Sequence, residues 1–168
     1  EAACRDGHST HIVKTLVEKQ AYNIACPIVI GDAKRLRENL KFVSEKLEIH
    51  PVSSVDQATF THGTIDVFQV EIEGVSSIPY GHVNAVAGKA SVSYIFKSID
   101  LALGRKIDAV VTAPINKESM HLAGYKTYAG HTEIYAAMTG TRDYAMMLTH
   151  GNFRVSHVST HVSLREAC

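Results

Sequence analysis

The chain has 168 residues, 45% apolar and 20% charged, with seventeen Lys and Arg balanced by seventeen Asp and Glu. That apolar content at zero net charge excludes intrinsic disorder, and no apolar run approaches the roughly 20 residues that a membrane span needs. A neutral chain also lacks the basic footprint of nucleic-acid binding, so neither a membrane nor nucleic acid is an expected partner.

Ile12, Val13, Leu16 and Val17 share one helical face, which predicts a helix over 11–20 with Ser9 or Thr10 as N-cap. Pro27 to Ile30 is a short apolar run closed by Gly31-Asp32, a buried strand. Leu36, Leu40, Val43 and Leu47 recur at helical spacing over 33–47, and Lys34, Arg35 and Arg37 then form its polar face. An extended segment follows near 52–55. Strand, helix, strand is a βαβ unit and implies a parallel sheet with a right-handed crossover.

Residues 64–72 alternate as a strand, and 74–81 form a loop. The longest helix is predicted over 82–103, with Gly104 as its C-cap. Asp108 to Ala113 reads as another buried strand, stopped by Pro114. Short helices follow at 116–122 and 132–138, ended by Gly124 and Gly140. Strands at 144–149 and 153–159 flank the hairpin signal His150-Gly151-Asn152. Ser163 and Glu166 have capping-box spacing and open a last helix.

Cys4, Cys26 and Cys168 are odd in number and form no C-x-x-C pair, which argues against a disulfide framework or a zinc ribbon. With a polar start lacking an apolar signal segment, this fits a reducing cytoplasm.

Three segments carry candidate chemistry. In Val111–Glu118 a strand end turns through Pro114 into a helix, where Lys117 is either a solvated side chain or an anion partner. In Gly130-His131-Thr132-Glu133, either Thr132 is a plain N-cap with His131 on the surface, or the pair contacts substrate or moves a proton. In His157–His161, the strand-end His161 is a metal-ligand candidate, whereas His157 reads as a hydrogen-bonded core histidine. A hydrolase using His131, His157 and His161 is one rival reading. Glycine-rich nucleotide loops, H-E-x-x-H and G-x-S-x-G are absent.

The runs "VVTAPINKESMHLAGYKTYAGHTEIYAAMTG" and "MMLTHGNFRVSHVSTHVSLREAC", with "PIVIGDAKRL" and "GHVNAVAGKASVSYIFKSIDLAL", resemble the 4-hydroxythreonine-4-phosphate dehydrogenase family. That family includes a sister branch acting on threonate and erythronate 4-phosphates. The resemblance covers about residues 12–168. It implies an α/β fold of the isocitrate/isopropylmalate-dehydrogenase kind, with two domains and a cleft. Residues 1–113 would then belong to the first domain and 114–168 would open the second, which carries the subunit interface of a homodimer.

It also implies oxidation, with decarboxylation, of a phosphorylated four-carbon hydroxy acid, using NAD and a divalent metal such as Zn, Mg or Co. By that pattern His131 and Thr132, joined by Lys117, contact substrate, and His161 is the first of three metal-binding histidines. The other two metal histidines would follow Cys168, so the chain is expected to be the first half of such an enzyme and inactive by itself, or else a catalytically silent remnant. Its start, "EAACRDGHSTH", departs from the family's Gly- and Pro-rich loop. Asn116, where the pyridoxine-pathway enzymes often carry His, leans toward the sister branch.

Overall fold

The computed structural model describes residues 8–159 and 162–168. It begins with helices α1 (His8–Val17) and α2 (Lys19–Ile24). Strand β1 (Val29–Gly31), helix α3 (Ala33–Asn39) and strand β2 (Glu48–Val52) follow, then strand β3 (Thr64–Gln69). Both flanking strands run parallel to β3, in the order β1-β3-β2. The β1-α3-β2 crossover therefore skips one position, and β3 fills the gap. As the middle strand β3 is covered on both faces: Ile65, Asp66, Val67 and Phe68 are all buried, as expected of a central parallel strand. α1 and α3 cover the sheet through Val13, Leu16 and Leu36, which join Val29, Ile49, Ile65 and Val67 in one cluster.

Several expectations shift here. Ser9 and Thr10 lie inside α1 rather than capping it. The helix predicted over 33–47 stops at Asn39 and tightens into a single 3-10 turn, Leu40–Phe42. The buried Asn39 amide donates back to the Arg35 carbonyl at 2.7 Å, the kind of side-chain bond that competes with helix continuation. Leu40, Val43 and Leu47 still pack against the core, without the helix. Arg35 is buried and not part of a solvated basic face. Its guanidinium stacks 3.8 Å from the centre of the Tyr80 ring.

Helix α4 (Ala85–Leu103) starts three residues later than expected because Asn84 caps it, its Oδ1 accepting from the Val86 and Ala87 N–H groups. Ala90 and Tyr94 of α4 pack with Val75 beside the sheet, while Val92, Ile95 and Ile99 meet Met120 and Ile134. One helix thus serves two clusters. Gly104 is its C-cap, but in an ordinary negative-φ conformation; the left-handed residue is Arg105, at φ 53°.

Beyond α4 come α5 (Lys117–Leu122), α6 (His131–Thr139), the antiparallel pair β4 (Met147–His150) and β5 (Phe153–Ser156), and α7 (Leu164–Ala167). The hairpin forms around the predicted turn, with Gly151 at φ 56°, but its strands are shorter than the 144–149 and 153–159 expected. The capping box is made too: the Ser163 N–H and Oγ both donate to the Glu166 carboxylate, which they hold below the usual carboxylate range. The buried strand predicted at 108–113 is not observed. That segment pairs with no strand among the described residues, and Val111 is 98% exposed. Its residue types suit a strand, but a strand exists only through a neighbour's hydrogen bonds. Cys26 and Cys168 are free and exposed, and no helix among the described residues is long and apolar enough to cross a membrane.

Candidate functional site

The two helix starts singled out by the sequence, at Lys117 and His131, flank one apolar cluster. Lys117 is the first residue of α5, and Met120, one turn on, is fully buried against α4. His131 is the first residue of α6, and Ile134, again one turn on, is buried in that same cluster. The i, i+3 spacing places each first residue and its buried anchor on neighbouring positions of one helix face. Phe96, Tyr125 and Tyr128 fill in around the anchors.

The α5 start is fixed by a chain of hydrogen bonds. Asn116 caps it, its Oδ1 accepting from the Ser119 N–H at 2.8 Å. The buried Ser119 Oγ accepts from the Asn84 N–H at 3.1 Å, and Asn84 is itself the cap of α4. The ends of α4 and α5 are thereby locked together. Lys117 stands exposed beside that lock, free to meet an anion in solvent.

At the α6 start, His131 and Thr132 are half-buried. Burial pushes the His131 imidazole below the ordinary histidine range, so at neutral pH it is an uncharged donor and acceptor. Gly130 is the N-cap in place of Thr132. Its backbone is extended, and an added Cβ would meet only the Glu133 carboxylate, at an ordinary 3.5 Å. No steric demand among the described residues requires glycine there. Ser98 Oγ and the Tyr135 hydroxyl, 3.0 Å apart, tie α6 back to α4.

His157 is half-buried just beyond β5, where its N–H continues the hairpin ladder to the Met146 carbonyl at 3.0 Å. His161, the metal-ligand candidate, lies outside the described residues. Among the described residues no group of three or more His, Cys, Asp or Glu is arranged to hold a metal ion. A divalent metal therefore does not fit the described part of this chain by itself.

Sequence reasoning missed two arrangements. The first is the α4–α5 lock, which Gly88 permits: a Cβ at Gly88 would run into the Ser119 carbonyl and the Met120 nitrogen. A glycine inside an otherwise sound helix was the available signal for a close backbone neighbour. The second is a buried carboxylate, Asp66, in the middle of an apolar strand. It accepts from His50 Nδ1 at 2.7 Å and from the Phe60 and Thr59 N–H groups at 2.8 and 3.0 Å. This folds the 59–63 loop onto the sheet and holds Phe60 at φ 51°. Burial alone would raise the Asp66 carboxyl, but these donors outweigh it and hold it below the usual range.

Comparison with known proteins adds the following. The sequence profile of the family described as "Pyridoxal phosphate biosynthetic protein PdxA" matches residues 23–168. The D-threonate 4-phosphate dehydrogenase of Cupriavidus necator is 40% identical over 158 residues, covering 93% of this chain and 46% of that protein. The crystal structure of a 4-hydroxythreonine-4-phosphate dehydrogenase from Burkholderia phymatum superposes with a TM-score of 0.86 at 38% identity, over 94% of this chain and 47% of the other. The corresponding Klebsiella pneumoniae structure gives 0.84 at 35% identity, over 94% and 47%. The chain spans about half the length of the relatives it matches.

Proposed function

The chain belongs to the PdxA family, and from that premise we propose that it supplies the substrate-contacting part of an NAD-dependent dehydrogenase for a phosphorylated four-carbon hydroxy acid. The observation that carries this reading is the match across residues 23–168, which takes in both helix starts. The name of the Cupriavidus necator relative favours D-threonate 4-phosphate over 4-phosphohydroxy-L-threonine. On this reading residues 114–168 open the second domain, and the working unit is a cytoplasmic homodimer.

Such a substrate carries a phosphate, a carboxylate and a secondary alcohol. Lys117, exposed and cationic, pairs with one of the anions. Neutral His131 hydrogen-bonds the alcohol or the carboxylate, and the Thr132 hydroxyl adds a second polar contact. When bound, a nicotinamide would supply the acceptor for the carbinol hydride, with the hydroxyl proton leaving to a base. Decarboxylation of the resulting β-keto acid follows. The described residues form neither a metal cage nor a glycine-rich dinucleotide loop, so no step is assigned to a metal on this chain.

The test joins the chain in one reading frame to the unmatched part of the Cupriavidus necator relative and follows NADH formation with the 4-phosphates of D-threonate, D-erythronate and 4-hydroxy-L-threonine. Turnover of the threonate ester is expected. Phosphate release without NADH would replace the dehydrogenase by a hydrolase.

A further inference from the structure

Helices α4, α5 and α6 meet in one apolar cluster, but their starts are held in different ways. Asn84 and Asn116 cap α4 and α5 with side-chain bonds. α6 begins at Gly130, which makes no side-chain cap bond. His131 and Thr132, the proposed substrate contacts, lie in that uncapped first turn. What seats α6 is largely apolar: Ile134 and Ala136 are buried, while 137–140 are exposed. Apolar burial is non-directional. Two such contacts hold α6 against α4 without fixing its rotation about its own axis, and the His131 imidazole moves with any such rotation.

A directional bond removes that freedom. Ser98 Oγ of α4 and the Tyr135 hydroxyl of α6 lie 3.0 Å apart. Ser98 is buried, and its own hydroxyl donates to the Ile95 carbonyl at 2.7 Å. Its lone pairs are therefore what Tyr135 meets, and the Tyr135 O–H is the donor between them. Both ends of this bond are firmly placed, Ser98 on the 19-residue α4 and the Tyr135 ring packed on the cluster. Tyr135 stands four positions after His131, so the two are neighbours on one face of α6, and a helical side chain leans toward the N-terminus, here toward His131. We propose that Ser98 and Tyr135 are positioning residues: their hydrogen bond sets the rotation of α6 and, with it, the place at which the His131 imidazole meets substrate. The inference rests on the proposed role of His131 as a substrate contact. Ser98 and Tyr135 act through His131 and not on the reacting atoms.

The test has a kinetic and a spectroscopic arm. In the joined protein described above, kcat/KM for D-threonate 4-phosphate is measured for Tyr135→Phe, which keeps the ring and its packing, and for Ser98→Ala. Each is then combined with His131→Ala. Either single variant should lower kcat/KM by about fivefold and should change nothing further once residue 131 is alanine. Tyr135→Phe and Ser98→Ala together should lose no more than either alone. An equal loss in both backgrounds would mean that the bond serves the fold and not His131, and would overturn the proposal. So would undiminished activity in both single variants. In the 168-residue chain itself, imidazole NMR follows the His131 titration. Both variants should move it up toward that of a model histidine, because a loosened α6 start lets water reach the ring. A His131 titration unmoved in both would also overturn the proposal. A joined protein without turnover, or one indifferent to His131→Ala, would count against the proposed function, and the imidazole titration would then decide by itself whether the Ser98–Tyr135 bond places His131.

Discussion

Gly88 of α4 and Ser119 of α5 meet backbone to backbone, so closely that a side chain at Gly88 would occupy the place of the Ser119 carbonyl. Around this contact the caps of two helices interlock, Asn84 donating to Ser119 and Asn116 accepting from it. The orientation of the Lys117 segment is therefore set by α4, a helix that also packs against the sheet.

Gly88→Ala tests that contact. Alanine would favour the helix by about 1 kcal/mol, but overpacking costs about 1–3 kcal/mol. The obstructing atoms are backbone and cannot rotate away, so a net loss of stability is expected. Urea unfolding should show a lower midpoint at unchanged slope. A raised midpoint would mean that α5 does not press on Gly88.

Asp66 predicts a pH dependence. Its carboxyl is held below the ordinary range in the folded state, so its contribution is fully present above the unfolded carboxylate pKa, near 4. It is lost as pH falls through the folded value. Asp66→Asn should destabilise the chain by about 1–3 kcal/mol at neutral pH, because the donors of Thr59, Phe60 and His50 lose the charged partner they converge on. It should also flatten the acid limb of the stability curve. An unchanged acid limb in the variant would remove Asp66 as its source.

His131 titrates below the ordinary histidine range because it is half-buried. Its neutral form is the one favoured by folding, so its contribution to stability is present above that range and lost as pH falls toward the folded value. Imidazole NMR should place His131 below a model histidine. In the completed enzyme, His131→Ala should lower kcat/KM by roughly tenfold, the worth of one hydrogen bond near 1.5 kcal/mol, without loss of metal. An emptied metal site would move His131 from substrate contact to metal ligation.

Thr132 separates a capping role from a substrate role. With Gly130 as the cap, Thr132→Val should change stability by less than about 0.5 kcal/mol, against the ~1 kcal/mol a lost cap costs. Activity in the completed enzyme should still fall. A drop in melting temperature with unchanged KM would assign Thr132 to the helix instead.

Much of this architecture was legible in residue patterns. The alternation in 64–72, the spacing in 82–103 and the hairpin around Gly151 each led to an observed element, because local periodicity and turn chemistry suffice for such segments. The end of α3 at Asn39 was not legible, since Leu40, Val43 and Leu47 fill core positions whether or not they are helical. The 108–113 strand failed for another reason: its residues suit burial, but burial and pairing depend on a neighbour that the described residues lack. Arg35 misled because its charge suggested solvent, while Tyr80, forty-five positions on, supplies an aromatic face to bury it. At the candidate site, Lys117 and His131 were singled out by motif, and the apolar cluster that their helices share was beyond any local pattern.

The central proposal is that this chain supplies substrate contacts of a dehydrogenase, with His161 as a metal ligand. The most direct measurement is NADH formation from D-threonate 4-phosphate, with and without added divalent metal. It compares the chain alone, the chain joined to the unmatched part of the Cupriavidus necator relative, and the joined protein carrying His161→Ala or His157→Gln. The account predicts no turnover by the chain alone, metal-dependent turnover by the joined protein, its loss with His161→Ala, and its near-retention with His157→Gln. Metal-dependent turnover by the isolated chain, or a joined protein indifferent to His161→Ala, would contradict it.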